Sequence, residues 1–503
     1  MATISRKAAE PPFVLAIDTG TSSSRAVLYD RLGRNIEGVQ MQTPYRMHTT
    51  PDGGAEIGAE ELLDYVKRNL DGVLLIAGNL SEQIAGVATT TFWHNLVGVG
   101  RDTLALTPVF SWNDTRSAQS AAELREKLDE AKVHARTGCM LHPAYLPAKL
   151  LWLAHSRPDV FRAVDHWMSF GEYIHLRFFG KTFCSLSMAS GTGLLDQNRC
   201  KWDEEVLSAL PISVEQLSPL VDTNNPLTGL RDEFAERWPA LKNTPWFPAL
   251  GDGACSNIGS GCVSNERIAL MVGTSGAMRV LWESKNVNIP KGLWCYRADG
   301  RRFVMGGALS NGGDLFAWLQ NTLRLGSPED VEVQLSNIEA DSHNLTVLPF
   351  LSGERSTGWA AHARAAIVGL SMDTRPIHIL QAGLESVAYR FARILELLSA
   401  EVEEAREIIA SGGALLKSPA WTQIMADCLG KPIVTSVEPE ASSRGAALLA
   451  LEALGIIEDI AEAPASMGRA HYPNPERHER YRKAIERQQR LYEALITNPW
   501  SAQ

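Results

Sequence analysis

Apolar residues in this chain fall into short unbroken blocks separated by longer helical stripes. Phe13-Val-Leu-Ala-Ile17 is a block of strand length, and Ala26-Val-Leu-Tyr29 is a second. The segment between them, Asp18-Thr-Gly-Thr-Ser-Ser-Ser-Arg25, is rich in Gly and hydroxyls and joins two adjacent strands, so the pattern predicts a β-hairpin rather than a strand-to-helix loop. Near mid-chain it returns: Ile268–Val272 and Met278–Trp282 predict strands around the turn Gly273-Thr-Ser-Gly276. Two such hairpins half a chain apart predict a duplicated domain. Between strands the period changes. Leu380, Leu384, Val387, Phe391, Ile394 and Leu398 form one helical stripe over 378–400. Ser418-Pro419 predicts an N-cap and first helical position, with the helix stopping at Gly430. The charged segment 475–496 carries Tyr481, Ile485, Tyr492 and Leu495 at the spacing of a terminal helix packed by one face. Strands alternating with helices predict an α/β architecture, with Pro245–Gly251 as the crossing between halves.

Composition narrows the class without changing this outline. The chain has 503 residues, 45% hydrophobic and 21% charged, which is ordinary for a folded protein. Its formal net charge of −10 argues against a nucleic-acid partner, because a phosphate backbone needs a basic face. No apolar run approaches the roughly 20 residues of a membrane span. Residues 1–12 carry Arg6 and Lys7 but no apolar core, so a disordered leader is expected rather than a signal peptide. Cysteines 139, 184, 200, 255, 262, 295 and 428 form no Cys-x-x-Cys pair, which predicts reduced thiols in a cytoplasmic protein, with neither disulfide nor zinc site.

Three features suggest chemistry. Each hairpin turn places small residues and hydroxyls directly after a buried strand, where backbone N–H groups can approach an anion; an ordinary turn is the alternative. Arg25 suits a phosphate or a neighbouring carboxylate. Ala410-Ser-Gly-Gly-Ala414 follows the apolar pair Ile408-Ile409, and its bare backbone either accepts a planar ring or makes a tight turn before the Ser418 helix. Asp252, in Leu250-Gly-Asp-Gly-Ala254, stands at the crossing, as a general base in a cleft or as the cap of a helix starting near Ala254. Gly180-Lys-Thr182 resembles the end of a P-loop, but His175 occupies the required glycine, so a Walker-type ATPase is excluded. His-Glu-x-x-His and Gly-x-Ser-x-Gly do not occur, which leaves a zincin or serine hydrolase without support.

Taken in order, these segments resemble the FGGY family of carbohydrate kinases, from about Phe13 to Leu451. Asp18–Arg25 is similar to its first phosphate loop, Gly251-Asp-Gly253 to its catalytic segment, Gly273–Gly276 to its second phosphate loop, and Gly412 through Lys417 to its adenosine motif. Lys149-Leu-Leu-Trp152 and the stretch from Ala365 to Glu385 resemble two family signatures. The first departs in the order Tyr145-Leu-Pro147, and the second has Gly383 where a larger residue is usual. The resemblance implies an actin-like (ribonuclease H-like) ATPase fold, with duplicated domains at 12–249 and 250–503 around a central cleft. It also implies ATP and Mg²⁺ as cofactors. Asp252 is then the base that takes the acceptor proton, and Asp18, with Asp252, the metal-facing carboxylate. Thr19, Gly20, Thr21, Ser22, Ser23 and Arg25, with Gly273, Thr274, Ser275 and Gly313, would surround the phosphates. Gly412, Gly413, Ala414 and Lys417 would line the adenosine site. Trp93, His94, Trp112 and Asp114, with Asp252, would meet the sugar, and cleft closure on sugar binding is expected.

Within the family, Gly273–Arg279, Lys291–Tyr296, Gly306-Gly307, Asn311-Gly-Gly313, Leu348–Arg355 and Thr137–Pro143 resemble gluconokinases first and xylulokinases second. Trp93-His94 stands where xylulokinases have a Met-His pair, and this Trp departs from both groups. The implied reaction is D-gluconate to 6-phosphogluconate, with a ketose or polyol as the alternative acceptor. A sugar acid requires a cation, and Arg116, Arg279, Arg297 and Arg355 are all open for that role. The bland readings are an interior His94, a core Trp112, and ion pairs at Arg116 and Glu354-Arg355. A catalytically silent sugar sensor would lose Asp18 or Asp252, and a partner-driven ATPase would lack the Trp112–Asp114 segment. The expected partner is a small-molecule sugar or sugar acid; a homodimer is left open, and neither nucleic acid nor membrane is expected.

Overall fold

A computed structural model describes residues 2–401 and 405–497. Two mixed sheets repeat one topology. In the first, β1 (Phe13–Thr19), β2 (Ser23–Tyr29), β3 (Asn35–Pro44), β4 (Ile84–Thr91) and β5 (Leu250–Gly251) lie in the order β3-β2-β1-β4-β5. In the second, β6 (Arg267–Val272), β7 (Gly276–Glu283), β8 (Arg302–Leu309), β9 (Glu407–Ser411) and β10 (Ile433–Ser436) lie in the order β8-β7-β6-β9-β10. Directions match as well as order. The first three strands of each set are antiparallel neighbours and the last three run parallel. This is the actin-like, duplicated two-domain architecture, with both expected hairpins in place. Phe13 through Thr19 are all buried, because helices cover both faces, and this produces the unbroken apolar block.

The helices follow their local signals closely. Helix α2 (Pro376–Glu401) buries the whole stripe from Leu380 to Leu398. Helix α3 (Pro419–Leu429) is capped by the Ser418 hydroxyl, which accepts from Trp421 N at 3.1 Å, and it ends at Gly430 with φ 64°. Helix α5 (Pro475–Tyr492) buries Tyr481 and Tyr492, but Leu495 is exposed because the chain leaves the helix for a wider turn at Glu493–Thr497. The leader also differs from expectation. Thr3–Ile4 pairs with Asn35–Ile36, and the Arg6 guanidinium donates to the carbonyls of Ile76 (3.0 Å) and Gly38 (3.2 Å), so residues 3–6 are ordered.

Two helices occupy the space between the sheets. Helix α1 (Asp252–Gly259) contacts both β4 and β7, and α4 (Ala441–Ala453) packs on α1, β1 and β4 although it belongs to the C-terminal half. They cross at Gly259 and Gly445. A Cβ on Gly445 would lie 1.9 Å from Cys255 O, and one on Gly259 would lie 1.8 Å from Ala441 O. Arg444 seals the crossing, donating to the carbonyls of Gly33, Gly259 and Ala463. All seven cysteines are free thiols. No helix among the described residues is long and apolar enough to cross a membrane.

Candidate active site

Strands β1, β4 and β5 run parallel and end at the same edge of the first sheet, where ligands collect in open α/β folds. Asp18 lies opposite Thr90 on one side of β4, and Leu250 lies opposite Thr90 on the other. Asp18 and the Gly251-Asp252 step therefore flank β4 at about 10 Å, two strand spacings. Gly251 is the N-cap of α1 and Asp252 its first residue, so Asp252 lies inside the helix rather than capping it from outside. Its Oδ1 accepts from Gly253 N at 2.8 Å and from Trp93 N at 3.4 Å, and Oδ2 carries no hydrogen bond within the described residues. Burial raises the pKa of both carboxyls. Asp18 is pushed up to about 6, with Arg25 opposing and Asp252 adding to the rise. The rise at Asp252 is opposed chiefly by the Arg279 guanidinium. Arg25 faces Asp18 across the hairpin at 3.8 Å, donates to Ser23 Oγ at 2.8 Å, and pairs with Glu440 just before α4. Of its two open roles, carboxylate pairing is the geometry seen.

The first turn leaves some of its hydroxyls free. Thr19 is fully buried, its hydroxyl 3.3 Å from that of Ser24, and Ser23 Oγ accepts from Arg25 and Gln42. Gly20, Thr21 and the exposed Ser22 remain accessible. In the second half, the turn Gly273-Thr274-Ser275 is tied to the helix Gly313–Thr322: Gly313 N donates to Gly273 O at 2.8 Å and Gly312 N to Thr274 O at 3.1 Å. Gly412, at φ 91°, approaches Val272 so closely that a Cβ would lie 2.4 Å from its carbonyl oxygen, and a Cβ on Gly313 would touch Ala414. The second turn, the Gly313 helix and the Gly412–Ala414 step thus form one continuous wall; Lys417 is exposed just beyond it.

Between the lobes lies a cavity of about 140 Å³ lined by Trp93, His94, Trp112, Asp252, Arg279 and Arg355. Trp93 is wedged among three glycines: a Cβ on Gly191, Gly251 or Gly253 would come within 2.7 Å of its indole. Its Nε1 donates to Ser187 O at 2.9 Å, and its ring packs edge-on against Tyr296, centroids 4.8 Å apart. His94 has φ 62° and turns Nδ1 to the Gly191 carbonyl; burial lowers its pKa to about 3, so the ring is neutral and Nε2 is an acceptor. Lys149, fully buried, donates to Pro143 O at 3.1 Å and fixes the loop beneath. Asp114 does not line the cavity. It accepts from Ala55 N (3.1 Å) and from Arg116.

The arginines separate cleanly. Arg116 is paired with Asp114 and Glu56, and Arg297 is buried against the carbonyls of Gln197, Asp299 and Gly300. Arg279 and Arg355 line the cavity instead, each with a buried Nε that has no hydrogen-bond partner. Arg355 lies over the Trp112 ring at 5.2 Å. Sequence reasoning could not choose among the four, and it missed Gly191, Ser187 and Glu440, which sit in no motif. A larger cavity of about 860 Å³ opens on the outer face of the first lobe near Val99, Met168 and Leu217, and contains none of these residues.

Two homologous lobes with paired carboxylates on one strand edge and a glycine-rich wall opposite define a two-domain phosphotransferase of the actin-like class. The chain belongs to the FGGY family of carbohydrate kinases: the family's N-terminal domain matches residues 13–259 and its C-terminal domain residues 268–454. It is accordingly a phosphotransferase with an alcohol group as acceptor. A gluconokinase of Bacillus subtilis (strain 168) is 27% identical over 474 residues, 92% of each chain. The crystal structure of a gluconate kinase from Lactobacillus acidophilus superposes with TM-score 0.88 at 29% identity, covering 96% of this chain and 98% of that one. A ligand-bound xylulose kinase from Lactobacillus acidophilus matches with the same TM-score, identity and coverage.

Proposed function

We propose that this kinase transfers the γ-phosphate of ATP to a hydroxyl of a sugar acid, with D-gluconate, yielding 6-phosphogluconate, as the foremost candidate. The observation that carries the reading is the pair Arg279 and Arg355, two cations on the acceptor cavity with no carboxylate among the described residues beyond Asp252. A bound carboxylate would offset the charge of the two guanidinium groups, which the hydroxyls of a neutral sugar could hydrogen-bond but not neutralise. The gluconate and gluconokinase relatives support the same choice. The xylulose kinase that superposes equally well supports a ketose or polyol as the second reading.

Asp252 is placed to take the proton from the attacking hydroxyl. Its Oδ2 is free, and Oδ1 is held by two backbone N–H groups, so the carboxylate is aimed rather than mobile. Burial raises its basicity, and the Arg279 guanidinium opposes that rise. Neutral His94 offers Nε2 to a donor hydroxyl and Trp93 closes the cavity floor. Thr21 and Ser22 of the first turn and Thr274 and Ser275 of the second would be the phosphate donors, with Gly20 keeping the first turn open while its N–H is held by Ser23 O at 3.0 Å, and Gly412, Gly413, Ala414 and Lys417 would supply the adenosine side. Two carboxylates whose ionised forms burial disfavours suit a hard dication, so Asp18 and Asp252 are the residues for Mg²⁺, which supplies charge neutralisation at the phosphates when bound. The free thiols fit a reducing, cytoplasmic setting.

The test is ADP release from Mg–ATP with gluconate, xylulose, ribulose, glycerol and erythritol, using wild type, Arg279→Met and Arg355→Met. Gluconate should give the highest kcat/KM, and each substitution should raise its KM at least about tenfold. A neutral acceptor that wins, with both variants unaffected, overturns the sugar-acid reading.

A further inference from the structure

The loop that delivers Arg355 to the acceptor cavity is held from behind by the last turn of the C-terminal helix. Glu354, the preceding residue, is buried, and its carboxylate bonds to Tyr492, Gly358 and Arg390, none of which lines the cavity. Its Oε2 accepts from the Tyr492 hydroxyl at 2.6 Å, and its Oε1 accepts from Gly358 N at 3.2 Å and from Arg390. Arg390 in turn lies over the rings of Phe350 (5.3 Å) and Tyr492 (4.8 Å). Gly358 is required by this arrangement: a Cβ there would lie 1.9 Å from the Tyr492 hydroxyl oxygen and 2.5 Å from Glu354 Oε2. Phe350, Ala363 and Ile496 close an apolar cluster around Tyr492. On the cavity side, the Arg355 guanidinium is steadied only by the Trp112 ring. No hydrogen bond from its side chain is seen among the described residues, so its aim depends on the flanking backbone, which is held by Glu354 N on Ala360 O (3.0 Å), by Ser356 N on Ala308 O (2.9 Å) and through the Glu354 carboxylate.

We propose that Tyr492 is a positioning residue for Arg355, so that acceptor affinity is set from the C-terminal helix, 138 positions along the chain from Glu354. The proposal rests on Arg355 being an acceptor ligand. Glu354 is buried, and Tyr492 is the sole hydrogen-bond donor to its Oε2 among the described residues. Removing the hydroxyl leaves that oxygen uncompensated, and a carboxylate that swings toward solvent to recover pulls on the backbone that carries Arg355.

The experiment compares Tyr492→Phe, Gly358→Ala, Arg355→Met and the double variant Tyr492→Phe/Arg355→Met in the ADP-release assay. Tyr492→Phe should raise the KM for gluconate about tenfold, with kcat and the KM for ATP within about twofold of wild type. Gly358→Ala, which displaces the same hydroxyl, should behave alike. In the Arg355→Met background the Tyr492 change should add almost nothing, because the residue it positions is gone. If Arg355→Met raises the acceptor KM while Tyr492→Phe leaves it unchanged, or if the two effects multiply, Tyr492 is a packing residue and the proposal is overturned. If Arg355→Met itself changes nothing, the sugar-acid reading fails first and takes the proposal with it.

Discussion

Replacing Asp18 with asparagine should make the protein more stable and less active, and the size of the gain follows from burial. The Asp18 carboxyl is 6% exposed, and its pKa stands at about 6 against an ordinary 3.8. At about 1.4 kcal/mol for each pH unit, that difference costs the fold about 3 kcal/mol once the group is ionised. The sign runs one way. Below pH 3.8 the carboxyl is neutral in both folded and unfolded chains, and the contribution to stability is fully present. It is lost as pH rises through 6, where the folded protein holds a buried charge that only Arg25, at 3.8 Å, partly offsets. Asparagine keeps the shape and removes the charge. In nucleotide- and Mg²⁺-free buffer, urea unfolding at pH 7.5 should therefore show Asp18→Asn more stable than wild type by up to about 3 kcal/mol, with the curves converging at pH 4. Turnover should fall sharply in the same variant, the usual pattern where a site keeps an unfavourable group for function. An Asp18→Asn protein that is less stable at pH 7.5, or equally stabilised at both pH values, refutes the reasoning.

Three further outcomes follow from the same geometry. Arg279→Met removes the cation that opposes the rise in the Asp252 pKa, so the acidic limb of the kcat/KM profile should move to higher pH, with a larger loss at pH 6 than at pH 8. Gly445→Ala drives a methyl into the Cys255 carbonyl at the α1–α4 crossing and should cost about 1–3 kcal/mol, read as a fall in melting temperature. Trp93→Ala empties a site that three glycines shape, and should cost about 3–5 kcal/mol and widen the range of acceptors accepted.

Much of this was legible because its signals are local. The turn after Ile17, the turn after Val272 and the Ser418–Gly430 helix each announce themselves within a dozen residues, through hydroxyls, glycines and caps. The apolar stripe from Leu380 to Leu398 does so by period alone. The rest depends on distant partners. Nothing near Ala441 says that α4 leaves its own half to pack on β1 and β4, so the pairing of Arg25 with Glu440 could not be read. The four arginines look alike in sequence, and only their neighbours sort them: carboxylates for Arg116, carbonyls for Arg297, open cavity for Arg279 and Arg355. Asp114 shows the same limit, since its motif position pointed to the sugar while its carboxylate is taken up by Arg116 and Ala55 N. The ordered leader was missed because its strand is two residues long and relies on β3 for every bond.

The central claim is that Asp252 is the base for transfer to a bound acceptor. The most direct measurement is ADP formation by wild type and Asp252→Asn, with and without gluconate, alongside ATP binding by each protein. The account predicts acceptor-dependent ADP formation that falls by about 10²–10⁴ in the variant, with ATP affinity retained. Acceptor-independent hydrolysis that survives the substitution would contradict it.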